Sequence, residues 1–467
     1  FFVTVAAPPV FGDSPELKAP SKIKNVLFII SDDLKASVLG CYGDEFCQTP
    51  NIDRLASQGM VFHRAYCQGT WCAPSRQSFM FSRYQSGGEI NMGENFQNHG
   101  FHSARVGKIY HMRVPGDIIA GTNGLDVAST WTERFNSTGL EAHTPGDYAC
   151  LNLNEFTTEL ANRQSTMMPH RPYVTVQTEG DGSDQPDFKS ADKAIEILQQ
   201  RQAAGKPFFL AVGLVRPHYP MVAPKKYFDL YPWEKIQLPA EEANDLDDIP
   251  KLGRGQLSSI NHMGDFPDNR KRMWAGYYAS VTFMDEQLGK IVDELERLGL
   301  RDSTAIVFTS DHGYHLGEHE FWQKSNLHEE VVRVPLIVSA PGMAAGETDS
   351  LAELVDLYPT FADLVDIEVP NSVQGKSLLP VLSDPSQTVR DSALSLNKGF
   401  GLRSSSWAYM IYQDGTEELY NMDSDPKQFT NLAESAKHKS SLMERRASLD
   451  ILVEQHGLEF PKKKKKK

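Results

Sequence analysis

The feature that most constrains the fold is a short apolar run near the start of the chain, Asn25–Ser31 (NVLFIIS). Its five central residues are all apolar and three of them are β-branched. A run of this length and composition is typical of a central strand in a parallel sheet that helices cover on both faces. The run ends abruptly at Asp32 and Asp33, which predicts a buried strand with two carboxylates at its C-terminal end.

Similar apolar runs alternate with helical patterns along most of the chain. This alternation is typical of an α/β fold, so we predict a large, central, mostly parallel sheet flanked by helices. The predicted strands are Asn25–Ser31, Met60–Tyr66, Phe101–Val106, Phe208–Val215, Thr304–Thr309 and Val334–Ser339. The predicted helices are Thr49–Gln58, Ser75–Tyr84, Asn91–His99, Ser190–Gln202, Arg270–Leu298 and Leu351–Val365.

The pattern changes after about residue 384. Short alternating segments around the Asp414-Gly415 turn predict a small antiparallel sheet, and a helix is expected at 434–455. We therefore predict a main domain at 21–383 and a smaller C-terminal α+β domain at 384–461. Residues 1–20 are interpreted as an N-terminal extension that resembles the end of a secretory signal, and 462–467 as a lysine tail outside the fold.

Composition limits the possible partners. The chain is 40% hydrophobic and 23% charged, as in a globular protein, and its formal net charge of −14 argues against nucleic acid. No apolar run reaches the ~18 residues of a membrane-spanning helix, so no span is expected. Five cysteines are too few for a disulfide scaffold, although Cys41 and Cys47 could close a short loop.

Polar groups follow four of the predicted strands at their C-terminal ends. They are Asp32-Asp33, Lys108, His218 and Asp311-His312. Considered alone, the Asp32-Asp33 pair is as readily a helix cap, and the Asp311-His312 pair is as readily part of a turn. Ligands of open α/β sheets bind outside these strand ends, however, and three carboxylates suit Ca²⁺ or Mg²⁺. The sequence therefore predicts a metal site at this edge.

A second motif is Cys72–Arg76 (CAPSR), which opens a predicted helix with a proline in its first turn. Helix N-termini favour anions, whereas an isolated cysteine is usually a small buried hydrophobe. The motif resembles the signature of type I sulfatases of the alkaline phosphatase-like superfamily, and most of the chain resembles the iduronate-2-sulfatase-like branch. The similar segments, in family order, are Asn25–Asp33, Cys41–Gly43, Thr49–Leu55, Cys72–Arg76, Gly107–His111, Arg216–Pro220 and Ser310–Lys324.

The resemblance implies a nucleophile and a metal centre. In this family the cysteine is oxidised to formylglycine, whose hydrate attacks sulfur, and the arginine of the motif holds the hydrate. These positions are Cys72 and Arg76. Ca²⁺ is the implied cation, with Mg²⁺ second. Many members have Asn at the last ligand position, and the His here also suits Zn²⁺ or Mn²⁺. The implied metal ligands are Asp32, Asp33, Cys72, Asp311 and His312.

Four further positions match the family's pocket. Lys108 and Lys324 are implied to hold sulfate oxygens, His111 to take the proton that releases sulfate, and His218 to protonate the leaving oxygen. Considered singly, each of these residues is more often a surface or packing residue. His315 and His319 are assigned no role beyond loop packing.

The predicted function is hydrolysis of sulfate from a sulfated carbohydrate. Two alternatives stay open: a phosphodiesterase or phosphonate hydrolase of the same superfamily, and a non-catalytic sulfated-glycan-binding protein. The expected maturation partner is a formylglycine-generating or anaerobic sulfatase-maturating enzyme, and the expected location is periplasmic or secreted, or lysosome-like in a eukaryote. Loops at 113–188 and 224–268 would select the sugar. Their candidate stacking aromatics are Trp131, Tyr173, Tyr219 and Trp233.

Overall fold

A computed structural model describes residues 23–85, 87–163 and 173–460, so the predictions for 1–20 and 462–467 lie outside the described residues. The strands are β1 (Asn25–Asp32), β2 (Met60–Phe62), β3 (Ala65–Tyr66), β4 (His102–Gly107), β5 (Glu133–Phe135), β6 (Gly146–Cys150), β7 (Glu155–Thr157), β8 (Val174–Thr178), β9 (Phe208–Pro217), β10 (Met221–Pro224), β11 (Gln256–Leu257), β12 (Thr304–Ser310), β13 (His315–Leu316), β14 (Phe321–Gln323), β15 (Arg333–Val334), β16 (Leu336–Ser339), β17 (Gly346–Thr348), β18 (Ala352–Glu353), β19 (Ser392–Leu396), β20 (Gly399–Ser404), β21 (Trp407–Tyr412) and β22 (Glu417–Asn421).

The helices begin and end where the sequence carries the usual signals. Proline occupies the first or second position of four of them, and Asn91 caps the third helix through a reciprocal pair of hydrogen bonds with Glu94. The helices are α1 (Pro50–Ser57), α2 (Cys72–Phe81), α3 (Met92–Asn98), α4 (Gly116–Ala120), α5 (Pro186–Ala204), α6 (Lys225–Phe228), α7 (Ser258–Asn261), α8 (Pro267–Arg297), α9 (Glu329–Val332), α10 (Leu357–Leu364), α11 (Leu379–Ser383) and α12 (Lys439–His456).

The central sheet has eight strands in the order β17-β2-β16-β12-β1-β9-β4-β5. Only β16 runs against the others, so the predicted mostly parallel sheet is confirmed. The four strands that precede polar groups, β12, β1, β9 and β4, are adjacent and parallel. Ser31 is paired with Ser310, and Asp32 with Pro217, so the polar groups after these strands meet at one edge.

Helices cover both faces of the sheet because the residues of β1 alternate between two apolar clusters. Leu27 and Ile29 belong to the cluster that includes α8, whereas Phe28 and Ile30 belong to the cluster that includes α10. All four side chains are fully buried. This burial explains the uninterrupted apolar run from which the strand was predicted.

The predicted C-terminal antiparallel sheet is also confirmed. Its strands follow the order β19-β20-β21-β22 with antiparallel pairing throughout. Leu442 and Leu449 of α12 pack on one face, while Met410 and Tyr420 on the other face join the apolar cluster of the central sheet. The two sheets therefore share a core, and the boundary at 383/384 stays a prediction.

Four predictions differ from the structure. The predicted strand Val334–Ser339 is two strands in separate sheets, β15 and β16, with Pro335 between them. The predicted strand Met60–Tyr66 is two strands in separate sheets, because a turn at His63-Arg64 interrupts it. The predicted helix Leu351–Val365 starts later than expected. Its α-helical part begins at Leu357, because Ala352–Glu353 forms strand β18 and pairs with β3. The region 113–188, read as irregular, holds three strands of the sheet β10-β8-β6-β7. These strands have at most five residues, too few to give a clear alternation.

No helix in the described residues is long and apolar enough to cross a membrane.

Candidate active site

The Cys72 thiol lies at the C-terminal edge of the central sheet, on the first residue of α2. Its Sγ is 3.2 Å from Lys324 Nζ and 3.8 Å from Lys108 Nζ. It is also 3.4 Å from both Asp32 Oδ1 and His312 Nε2. The structure thus brings together residues that are as far apart as 32 and 324 in sequence, around one buried sulfur.

Burial and the Asp32 charge both favour the neutral thiol of Cys72, yet the two lysines lower its pKa below the usual value. The site therefore stabilises negative charge at residue 72. This is the position at which a nucleophile or an anionic intermediate is expected.

Arg76 follows Cys72 by one helical turn and is fully buried. Its Nε donates to Asp311 Oδ2 at 2.9 Å and its Nη2 to Asp32 Oδ1 at 3.2 Å. Its Nη1 donates to the carbonyl oxygens of Lys108 and Ile109. Every nitrogen of the guanidinium is thus engaged, and Arg76 fixes two carboxylates and the end of β4. Its predicted contact with a hydrate stays a prediction.

The two carboxylates after β1 differ in their environment. Although burial opposes ionisation of Asp32, its neighbours Lys108, His218 and Arg76 hold its pKa well below the usual value. Burial raises the pKa of Asp33 to about 7, against the pull of Lys324. Asp33 Oδ2 is buried and has no hydrogen-bond partner in the part of the chain that the structure describes, and leaving such an atom without one is costly.

Four side chains form a potential metal site. Oxygen, sulfur and nitrogen atoms of Asp32, Asp33, Cys72 and His312 all lie within 4.8 Å of one another. The Nδ1–H of His312 donates to the Gly313 carbonyl at 2.9 Å, which leaves Nε2 free to face this set.

Asp311, the fifth predicted ligand, lies beside the set. Its Oδ1 accepts the backbone N–H groups of Asp33 and His312, and its Oδ2 accepts Arg76. Its ligand role stays a prediction.

Both predicted catalytic histidines lie close to the charged groups of the site. His218 Nδ1–H donates to the Tyr219 carbonyl at 2.7 Å, and Nε2 is 3.8 Å from Asp33 Oδ2. Burial, reinforced by Lys324, holds the pKa of His218 well below its usual value. Burial and Lys108 lower the pKa of His111 to about 4, and its buried Nδ1 has no partner among the described residues. Both imidazoles are neutral at pH 7.

Several supporting residues escaped sequence reasoning. Tyr277 of α8 donates to the Asp33 carbonyl at 2.6 Å and accepts from Lys35 N–H. Asp187 accepts the N–H groups of Val215 and Arg216 just before His218. These are long-range contacts to the backbone, and no local pattern marks their side chains. Asp187, the buried acid at the start of α5, is the one supporting residue that a sequence pattern could have indicated.

The other aromatic and histidine predictions have mixed outcomes. Trp131 and Tyr173 are buried packing residues, whereas Tyr219 lies against His218 with ring centroids 4.3 Å apart. Trp233 lines a different cavity. His315 and His319 pack in their loop, with centroids 6.4 Å apart, as predicted. Cys41 and Cys47, which could have closed a short loop, are not joined by a disulfide.

The fold and this site define an α/β protein with a buried centre of carboxylates, a thiol and an imidazole at the C-terminal edge of its central sheet. The sulfatase family profile matches residues 24–367, and the profile of the N-sulphoglucosamine sulphohydrolase C-terminal region matches 317–455. The chain therefore belongs to the sulfatase family, and the prediction of a sulfatase, a sulfuric ester hydrolase, is confirmed.

Individual relatives agree. Human iduronate 2-sulfatase is 31% identical over 421 residues, which covers 77% of this chain and 72% of the human protein. A sulfatase of Formosa agariphila is 29% identical, and the match covers 90% of this chain and 84% of that protein. A structure bound to D-glucosamine-2-N,6-O-disulfate has a TM-score of 0.73 at 21% identity, covering 95% of this chain and 100% of that one.

Phosphonate monoester hydrolases share the same fold. The enzyme from Silicibacter pomeroyi has a TM-score of 0.74 at 22% identity, and the match covers 93% of this chain and 96% of that one. Since the fold is common to both activities, the chemistry must be argued from the site.

Proposed function

We propose that this protein hydrolyses the sulfate esters of a sulfated carbohydrate, with residue 72 as the nucleophile. One observation carries the proposal: the Cys72 sulfur, in the modification motif, lies between two lysines and next to Asp32 and His312. Cationic groups on both sides of a nucleophile suit a sulfate ester, because the negatively charged oxygens of the ester repel the attacking atom.

The donor set fits a hard divalent cation. Asp32 and Asp33 offer carboxylate oxygens, and the orphaned Oδ2 of Asp33 is a buried acceptor that lacks a partner. We infer Ca²⁺, with Mg²⁺ second, held by Asp32, Asp33, residue 72 and His312, with Asp311 at the side. When bound, the cation supplies positive charge that draws electron density from the sulfate oxygens.

Formylglycine at position 72 fits the same surroundings. Its hydrate supplies one hydroxyl to attack sulfur and a second whose deprotonation expels sulfate and restores the aldehyde. Lys108 and Lys324 bind the sulfate oxygens as point charges. Arg76 keeps the two carboxylates in place, so that the lysines and the carboxylates hold a fixed geometry around the reacting atoms.

The two histidines move the protons. His111 is neutral at pH 7 and can accept the proton of the second hydroxyl. His218 presents Nε2 to the site, since its Nδ1–H is bound to the Tyr219 carbonyl. To serve as general acid it must be protonated in the enzyme–substrate complex. The negative charge of a bound sulfate raises the imidazole pKa and so favours that state.

The substrate class is inferred from the relatives. They include iduronate 2-sulfatases and an N-acetylglucosamine-6-O-sulfatase of Bacteroides thetaiotaomicron, and one structural neighbour binds a glucosamine disulfate. We therefore infer a sulfated glycosaminoglycan-type sugar. This substrate also supports a periplasmic, secreted or lysosome-like location, and a formylglycine-generating or anaerobic sulfatase-maturating enzyme as the maturation partner.

The test has two parts. Peptide mass spectrometry should show that residue 72 has lost sulfur and gained an aldehyde in active protein. A sulfate-release screen across sulfated mono- and oligosaccharides should then identify substrates. Fully active protein with unmodified Cys72 would contradict the nucleophile.

Phosphonate ester hydrolysis is the second candidate function, because the structure resembles the Silicibacter pomeroyi enzyme. The same screen tests this candidate. Phenyl phosphonate and a nitrophenyl phosphate diester are assayed beside the sulfate esters. A higher kcat/KM on the phosphorus esters would transfer the assignment to that activity.

A further inference from the structure

A cavity of about 630 Å³ lies away from Cys72 and shares no residue with the candidate active site. It is enclosed between the sheet β10-β8-β6-β7, the start of α8 and the segment 228–233. This volume is within the range of small-molecule sites. Thr175 and Gln177 of β8 and Asp147 of β6 contribute its sheet wall, and Arg272 of α8 faces them from the helix side.

Arg272 is the feature that suggests a ligand. Its guanidinium carbon lies 4.0 Å from the ring centroid of Trp233 and 5.7 Å from that of Phe156. Among the described residues it forms no ion pair or hydrogen bond. Stacking on two rings holds the planar cation in place while its N–H groups stay available, and this geometry suits an anionic group such as sulfate or carboxylate.

The rest of the lining suits a sugar ring. The Phe156 side chain is 54% exposed, so one aromatic face is open for stacking. Gln177 and the exposed Asp147 offer hydrogen-bond partners for hydroxyl groups. Asp229 also lines the cavity, but its charge is paired with Lys225. Among the described residues that line the cavity, Arg272 is the one cation, and Asp147 at the rim forms no ion pair.

The cavity is connected to the site through two neighbouring strands. Thr175 of β8, in the cavity wall, is paired with Met221 of β10, which follows His218 by three residues. The backbones of Thr175 and His218 are therefore at most roughly 16 Å apart, a distance that a short oligosaccharide spans. We propose that this cavity is a second carbohydrate site that binds an anionic unit of the glycan chain being desulfated at residue 72. The identity of the chain rests on the proposed function. Binding a remote unit raises affinity by making the second contact intramolecular.

The test compares Arg272→Gln and Phe156→Ala with Arg54→Gln, which removes the same charge from an exposed residue that pairs with Asp293 on the surface. Retention is measured by electrophoresis in gels that contain heparin, chondroitin sulfate or uncharged dextran. We expect about tenfold weaker retention by a sulfated glycan for both cavity variants, the effect of losing one good contact. Arg54→Gln should behave as wild type, and dextran should retain none of them.

Kinetics provide the second measurement. KM for heparin oligosaccharides should rise about tenfold in the cavity variants, while kcat/KM for 4-nitrophenyl sulfate should stay unchanged. Three results would each overturn the proposal. They are an equal loss of retention in Arg54→Gln, unchanged retention in both cavity variants, and an equal fall in kcat/KM for the small ester. Wild type that neither sulfated glycan retains would overturn it too. If wild type releases no sulfate from any ester, the proposed function fails, but retention still decides on this cavity.

Discussion

Two buried charge clusters of this protein each pair carboxylates with an arginine but differ in how completely their atoms are paired. Around Cys72, Asp33 Oδ2 has no hydrogen-bond partner among the described residues. Around Arg390, all four oxygens of Glu353 and Asp356 are engaged: they accept Arg390, the hydroxyl of Tyr84 at 2.6 Å, and backbone N–H groups. Both clusters are buried, so burial of charge alone does not identify a functional site.

The difference lies in what completes each cluster. The Arg390 cluster is closed by its own chain and joins β18, α10 and the segment before β19. The Cys72 cluster leaves Asp33 Oδ2 and the nearby His111 Nδ1 buried without a partner among the described residues, and an added group would satisfy them. An incompletely paired set of buried acids at the C-terminal edge of a parallel sheet is thus the signal of function here.

The largest expected effect comes from the nucleophile. Cys72→Ala should lower kcat for sulfate release by on the order of 10⁶, the loss seen when the nucleophile of a hydrolase is removed, while thermal unfolding changes little. Sulfate release and calorimetry measure the two properties on the same sample. Cys41→Ala, a change at another free cysteine, should keep full activity. Residual activity above about one per cent in Cys72→Ala would contradict the role.

The two buried arginines provide the direct comparison. Arg390→Met leaves Glu353 and Asp356 without their cation, and we expect a loss of about 3–5 kcal/mol in the free energy of unfolding, with normal kcat/KM in the protein that stays folded. Arg76→Met should act mainly on activity, because Lys108 still pairs with Asp32. Urea unfolding and sulfate release separate the two. Equal stability losses would mean that both clusters are structural.

Much of the Cys72 cluster was visible in the sequence. The apolar run of β1, its two terminal acids and the acid–histidine pair after β12 predict adjacent strands with converging ends, because a strand buried on both faces has few places in a fold. Cys72, Lys108 and Lys324 could be assigned only through the motif order, since a lysine is equally at home on the surface.

The rest depends on contacts that no local pattern encodes. Tyr277 reaches the Asp33 carbonyl from the middle of a long helix, and Arg272, five residues away on the same helix, lines a separate cavity. The Arg390 cluster likewise joins residues that are far apart in sequence. The sheet β10-β8-β6-β7 was missed because very short strands leave too few residues for an alternation to show.

Two esters with different leaving groups distinguish the role of His218 from that of Asp32 within the Cys72 cluster. His218→Ala should lower the rate on a sugar sulfate by ~10²–10⁴, the usual contribution of a general acid. The loss on 4-nitrophenyl sulfate should be much smaller, because an aryl oxide leaves without a proton. Asp32→Ala should damage both reactions alike. Equal losses for His218→Ala on the two esters would assign His218 to sulfate binding and make His111 the better candidate acid.

The smallest expected effect is on stability against pH, and it concerns the incompletely paired cluster alone. His111 has a folded-state pKa of about 4, below the 6.5 of the unfolded chain. Between these values the unfolded chain binds more protons, so stability rises with pH over this window and is lost as pH falls through it. We expect metal-free protein, prepared with a chelator, to unfold at a lower urea concentration at pH 5 than at pH 7.5. His111→Gln should reduce that difference, because glutamine does not titrate.

His63, a histidine that pairs with Glu347 on the surface, provides the matched control: His63→Gln should leave a wild-type difference between the two pH values. A pH response that is identical in wild type and His111→Gln would show that the buried imidazole is already protonated in the folded protein, and His111 could then not act as the base that releases sulfate.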